Sequence, residues 1–249
     1  MKKPEDKLQE LVSRLRAACG DNLVSVVLYG SAARQEFHER YSDVNLLVVF
    51  GDLSGAAIAA LGPVVRWWTR DEGFTPPLMM TEGELRESAD LFAIELVDIQ
   101  HMHKTLFGKD VAGEIHIPMN LHRVEVEHEL RTTLLRLRQH LLLHADNQDE
   151  LRKVLAKSIG GVSTLLKHAL LAVGESSPHE RPAVLEQAGT TFGFDARPMQ
   201  AVLALRGDHA HLENIPEVYN SYMQAIGRVA HELEARAPKR HLQKISSPA

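Results

Sequence analysis

The chain has 249 residues, room for one large domain or two of ordinary size, with 44% hydrophobic and 24% charged residues as in a globular protein. Its formal net charge of −5 speaks against a protein built to coat nucleic acid, which carries a basic excess. The single cysteine, Cys19, rules out an intrachain disulfide and fits a reducing cytoplasm. No apolar run reaches the ~20 residues of a membrane span, and Pro4, Glu5 and Asp6 stand where an export signal would place its apolar stretch.

In chain order, Leu8, Leu11, Val12 and Leu15 recur at helical spacing over 4–19, and Gly20 stops the run. Residues 23–29 read as a buried strand ended by Gly30-Ser31, and Val44 to Phe50 as a second, strongly apolar one. A helix is expected over 53–70 and a strand over Pro76 to Met80. Thr81 and Glu84 carry the spacing of a capping box. Phe92 to Ile99 reads as a third strand. Strands alternating with helices over residues 20–110 argue for an α/β-type domain.

The pattern changes near Pro118. Leu130, Leu134, Leu137 and Leu141 mark one helix face, and Leu151, Val154, Leu155, Val162, Leu165 and Leu166 another, closed by Gly174. Three further helical stretches follow at roughly 183–192, 196–206 and 216–236. The fold class expected is therefore α+β: a domain over 1–117 with a small mixed sheet and helices, then an all-α helical bundle over 118–249. Trp67 and Trp68 fall in an apolar helical stretch and read as core rather than as base-stacking platforms. His101 and His103 lack the companions of a zinc site.

The chemistry concentrates between Leu28 and Phe50. An apolar strand runs into Tyr-Gly-Ser-Ala-Ala-Arg (29–34), and Ser-Asp-Val-Asn (42–45) opens the next strand. Gly30 permits a sharp turn and close approach to a ligand. Backbone N–H groups there, with the Ser31 hydroxyl, suit phosphate oxygens. Asp43 and residue 45 alternate along a strand and so share a face, as a divalent cation site requires. This stretch resembles the active-site signature of the polymerase-β-like nucleotidyltransferase superfamily: a strand, Gly-Ser, a gap of about ten residues, then two acidic residues flanking an apolar one.

The resemblance implies transfer of a nucleotidyl group from a nucleoside triphosphate, ATP first among them, to an acceptor that is a small molecule or a protein. It implies Mg²⁺ or Mn²⁺ held by Asp43, residue 45 and a third carboxylate from a neighbouring strand. Glu95, or Asp98 in its place, is the candidate on Phe92–Ile99. Their odd spacing lets only one of the two point at Asp43 if that segment is a strand. Arg34 would assist the phosphates. The departure from the pattern is Asn45, which keeps a carbonyl oxygen for a hard cation but brings no charge. Two readings therefore stand: a nucleotidyltransferase weakened by Asn45, and an inactive protein of the same fold that binds nucleotide or scaffolds and regulates a partner. Expected partners are nucleotide and acceptor, with no membrane or nucleic acid. The family's habits are compatible with a homodimer in the cytoplasm.

Overall fold

The computed structural model describes residues 4–34, 44–89, 91–206 and 212–236. The chain divides into two units, Met1–Pro118 and Met119–Ala249. In the first, α1 (Pro4–Cys19) turns Leu8, Leu11 and Leu15 inward and gives way at Gly20, whose φ of +53° leaves the helical region. Strand β1 (Leu23–Tyr29) follows, then a short 3-10 turn (Gly30–Arg34), and strand β2 (Asn45–Phe50). Helix α2 (Gly55–Arg66) starts on Ser54, which caps Ala57 N–H, and runs into a π turn at Trp67–Asp71. Strand β3 (Leu78–Thr81) leads into α3 (Glu82–Glu87), where the expected capping box is complete: Thr81 Oγ1 accepts from Glu84 N–H, and Glu84 Oε2 accepts from Thr81 N–H.

The four strands form a mixed sheet ordered β3-β2-β1-β4, with β2 and β3 parallel and the other pairs antiparallel. Because side chains alternate, each strand divides its residues between two faces. Val26, Leu28, Leu46, Val48 and Phe50 pack with Leu8, Leu11 and Leu15 of α1, with Leu61 and Val64 of α2, and with Trp68. Trp68 is fully buried, stacks on Phe74 at 4.2 Å and donates its indole N–H to Thr75 O, so it belongs to the core as its sequence context suggested. The opposite face carries Val27, Leu47 and Val49, all with no exposure. Asn22 ties the two strand ends together. Its side chain donates to Asp52 O and accepts from Asp52 N–H at 2.7 Å.

One expected strand is a helix. Residues 92–99 lie almost wholly in α4 (Ala93–His101), and strand β4 is the next segment, His103–Gly108. Phe92, Ile94 and Leu96 suggest alternation, but Ala93, Leu96, Val97 and Gln100 carry the i, i+3, i+4, i+7 spacing of a helix. The structure buries the first three of these fully, while Phe92 is 47% exposed.

In the second unit the described residues form helices only: α5 (Met119–His144), α6 (Gln148–Ala172), α7 (Arg181–Phe192), α8 (Arg197–Ala204) and α9 (Ile215–Ala235). Leu130, Leu134 and Leu137 of α5 and Leu151, Leu155, Val162 and Leu166 of α6 are buried, with Tyr219, Tyr222, Ile226 and Leu233 of α9. A buried polar pair joins α5 to α6, His122 Nε2 lying 2.9 Å from His168 Nδ1. Among the described residues no helix is long and apolar enough to cross a membrane.

Candidate functional site

The candidate site lies at the end of the sheet where β1 stops. Tyr29 is directly opposite Asn45 on β2 and directly opposite His103 on β4. Opposed residues of antiparallel strands project to the same face. Asn45, Tyr29 and His103 therefore form one row on the face that bears Val27 and Leu47. Immediately beyond the row, Gly30 adopts φ +75°, a conformation that strains any side-chain-bearing residue. Its N–H is fixed by Met102 O at 3.0 Å, just ahead of β4. A Cβ added at Gly30 would stand 3.4 Å from Asn45 Nδ2, so the turn and the Asn45 amide are in close approach.

Helix α4 brings its carboxylates to this row. Burial first, and then the negative charges of Glu95 and Asp98, push the Tyr29 phenol above its ordinary range. Both carboxylates therefore act electrostatically on Tyr29. This corrects the expectation that one of them alone could face the site. That expectation rested on a strand's period of two, whereas residues three apart on a helix are neighbours on one face. Glu95 is exposed and Asp98 half-buried. Asn45, Glu95 and Asp98 present oxygen donors only, the set a hard cation such as Mg²⁺ prefers. Among the described residues no three His, Cys, Asp or Glu side chains form a ready-made metal cluster. Asp43 lies outside the described residues. For Ser31 and Arg34 the backbone alone is described, both in the 3-10 turn that starts at Gly30.

His103 closes the far end of the row. Its Nε2 lies 3.0 Å from Asp110 Oδ1 and its Nδ1 3.2 Å from Gln100 O. The Asp110 carboxyl, which accepts from Gly113 N–H and pairs with His103, sits below the usual carboxylate range. Tyr29 and His103 were not singled out from the sequence as site residues. Tyr29 could have been, since it immediately precedes the turning glycine. His103 had no such signal, because its place in the row depends on a strand that the sequence pattern hid.

The mixed sheet, the glycine turn after β1, the strand that opens at Asn45 and the helical second unit together have a nucleotidyltransferase fold with a helical C-terminal part. Comparison with protein-family models and with curated proteins returns no match. Among solved structures the chain is similar to the spectinomycin adenyltransferase AAD(9) from Enterococcus faecialis, solved with ATP and spectinomycin. That likeness has a TM-score of 0.54 at 14% identity and covers 90% of this chain and 98% of the neighbour. Two toxin–antitoxin structures, one of an MntA–HpeT mutant and one with AMP-PNP, each match over 43% of this chain and 77% of their own at a TM-score of 0.30 and 16% identity.

Proposed function

We propose that this protein binds a nucleoside triphosphate, ATP first, across the Gly30–Ser31 turn and transfers its nucleotidyl group to an acceptor. The observation that supports the reading is that Asn45 lies opposite Tyr29 beside the Gly30 turn, with the charges of the two α4 carboxylates felt at Tyr29. Backbone N–H groups of the turn and the Ser31 hydroxyl would hold phosphate oxygens, with Arg34 beside them. A nucleophilic oxygen of the acceptor attacks the α-phosphorus in line, the bond to the bridging oxygen breaks, and pyrophosphate leaves with the electron pair. Glu95 or Asp98 takes the proton released by the acceptor. Mg²⁺, held by Asp43, the Asn45 carbonyl and an α4 carboxylate, would neutralise charge on the phosphates. The AAD(9) neighbour, named for a spectinomycin substrate and solved with ATP, makes hydroxyl-bearing small molecules the first acceptors to test.

Incubation of the full chain with labelled nucleotides, Mg²⁺ or Mn²⁺ and an acceptor panel tests the proposal. Labelled product that depends on Asp43 is the expected result. No turnover and no self-labelling, with Asp43→Ala indistinguishable from the parent, overturns it. Asn45 favours a second reading, a nucleotide-binding regulator or scaffold without turnover. That reading expects calorimetric nucleotide binding with no product, and it fails if nucleotide does not bind with or without the metal.

A further inference from the structure

Tyr29 and Asn45, directly opposed across β1 and β2, are both half-buried. Among the described residues no hydrogen bond engages the Tyr29 hydroxyl or the Asn45 amide. Neither group is sealed from the surface, because the fully buried side-chain atoms without a partner are all histidine nitrogens among the described residues. By contrast, Tyr219 donates to Leu137 O, Tyr222 meets Ser158 Oγ, and Asn22 uses both ends of its amide on Asp52. His103, the third member of the row, is engaged at both ring nitrogens. Half-buried polar groups are ordinarily bonded within a fold, so two open ones side by side at the end of the sheet are available to a ligand. The orientation of Asn45 says which kind. From the Cβ position of Gly30, Asn45 Nδ2 is 3.4 Å away, and Oδ1 is not within 4 Å. The amide therefore turns its donor end to the glycine turn and leaves its oxygen for a cation. The Tyr29 phenol is an O–H donor as well. The Gly30 N–H is spent on Met102 O, so an anion at the turn needs donors from elsewhere.

We propose that the Asn45 amide N–H₂ and the Tyr29 hydroxyl form a neutral donor pair that binds a phosphate oxygen of the nucleoside triphosphate directly, in place of the cation that a carboxylate at position 45 would need. The pair presupposes the nucleotide site proposed above and specifies how its phosphates are held. An aspartate at position 45 is an acceptor only, and it repels a phosphate unless a metal ion stands between them. Asparagine changes the sign of that contact. Its N–H₂ meets the phosphate oxygen as a donor, and a hydrogen bond to an ionised acceptor is roughly twice as strong as one between neutral groups. The carbonyl oxygen of the same side chain remains for Mg²⁺, so one residue serves both ligands.

Titration of the full chain, carrying ζ-carbon-labelled tyrosine, with ATP and with inorganic tripolyphosphate tests the pair, each ligand in Mg²⁺ and in EDTA. Both ligands should bind under both conditions, more weakly in EDTA, and should shift the Tyr29 resonance, which Tyr29→Phe assigns. Tyr29→Phe keeps the ring and should weaken both ligands about tenfold in either condition, the loss of one hydrogen bond to a charged acceptor. Asn45→Asp should weaken both ligands at least about tenfold in EDTA while tightening the binding of a divalent ion. Those opposite signs separate a lost donor from a damaged fold. Binding that requires the metal, or affinities in EDTA indifferent to both substitutions, overturns the donor pair and leaves the nucleotide site itself intact. A loss seen with ATP but not with tripolyphosphate also overturns it, since the contact then lies on the base or sugar. Failure of both ligands to bind in any condition overturns the nucleotide site and the pair with it.

Discussion

Asn45 stands where the signature carries an acid, half-buried at the start of β2 and in van der Waals reach of the Gly30 turn. A unit charge about 4 Å from a cation is worth on the order of 4 kcal/mol at an effective dielectric of ~20, and desolvation removes part of that. Asn45→Asp should therefore tighten Mn²⁺ binding at least about tenfold, read by calorimetry. The same substitution should lower the melting temperature when no divalent ion is present, because it adds a charge to a region that already holds Glu95 and Asp98. Equal affinities in parent and variant would mean that residue 45 does not face the cation. At Gly108 the backbone dictates the residue's identity. It has φ +77°, and a Cβ there would stand 1.9 Å from Val24 O, inside the β1–β4 ladder. Gly108→Ala should cost at least about 2 kcal/mol in urea unfolding, since a left-handed alanine alone costs about 1–2 kcal/mol and a backbone overlap adds to it.

At the scale of elements, α4 is what gives the site its negative charge, and Tyr29 reports it. Glu95→Gln and Asp98→Asn should each lower the Tyr29 phenol toward its ordinary value of about 10, since each removes an anion that opposes the phenolate. Titration followed by NMR of ζ-carbon-labelled tyrosine reads the change. A divalent cation bound at those carboxylates should act in the same direction. A phenol indifferent to both substitutions would place α4 away from the end of β1. The same helix shows where sequence reading succeeds and where it stops. α1, β1 and the capping box at Thr81 and Glu84 were legible because a stop residue, a long apolar run or a reciprocal pair marks each boundary. Residues 92–99 fit a strand and a helix almost equally well over so short a span, and the choice decided which side of the chain both acids would face. Strand β4 escaped because its pattern, with His103, Lys104 and Thr105 leading into Leu106 and Phe107, has little apolar content of its own. It is a strand by virtue of pairing with β1.

At the scale of the whole molecule, the buried tyrosines of the helical unit set its response to alkali. Tyr219 is fully buried and donates to Leu137 O at 2.9 Å, and burial pushes its phenol up to about 12. Tyr222 is as deeply buried, with its hydroxyl 3.0 Å from Ser158 Oγ, and burial raises it too, against the opposing effect of that hydrogen bond. Both phenols are thus held neutral in the fold beyond the pH at which they would ionise in an unfolded chain, about 10. Below that pH neither state releases the protons, and the full stability is present. Above it the unfolded chain loses protons that the folded one keeps, so stability falls with rising pH until Tyr219 ionises in place near 12. A shift of this size for Tyr219 alone is worth on the order of 3 kcal/mol, a large share of the roughly 5–15 kcal/mol that holds a domain together. In a Tyr29→Phe, Tyr41→Phe background, which leaves Tyr219 and Tyr222 as the tyrosines that titrate, helix loss by far-UV circular dichroism and phenolate absorbance at 295 nm should therefore rise together between about pH 10 and 12. Tyr222→Phe should shift this transition to higher pH and make it less steep, because one of the linked protons is gone, while costing about 1 kcal/mol at neutral pH for the hydrogen bond to Ser158. Phenolate appearing while the helices stay intact would show that α9 admits water to these side chains, contrary to their burial.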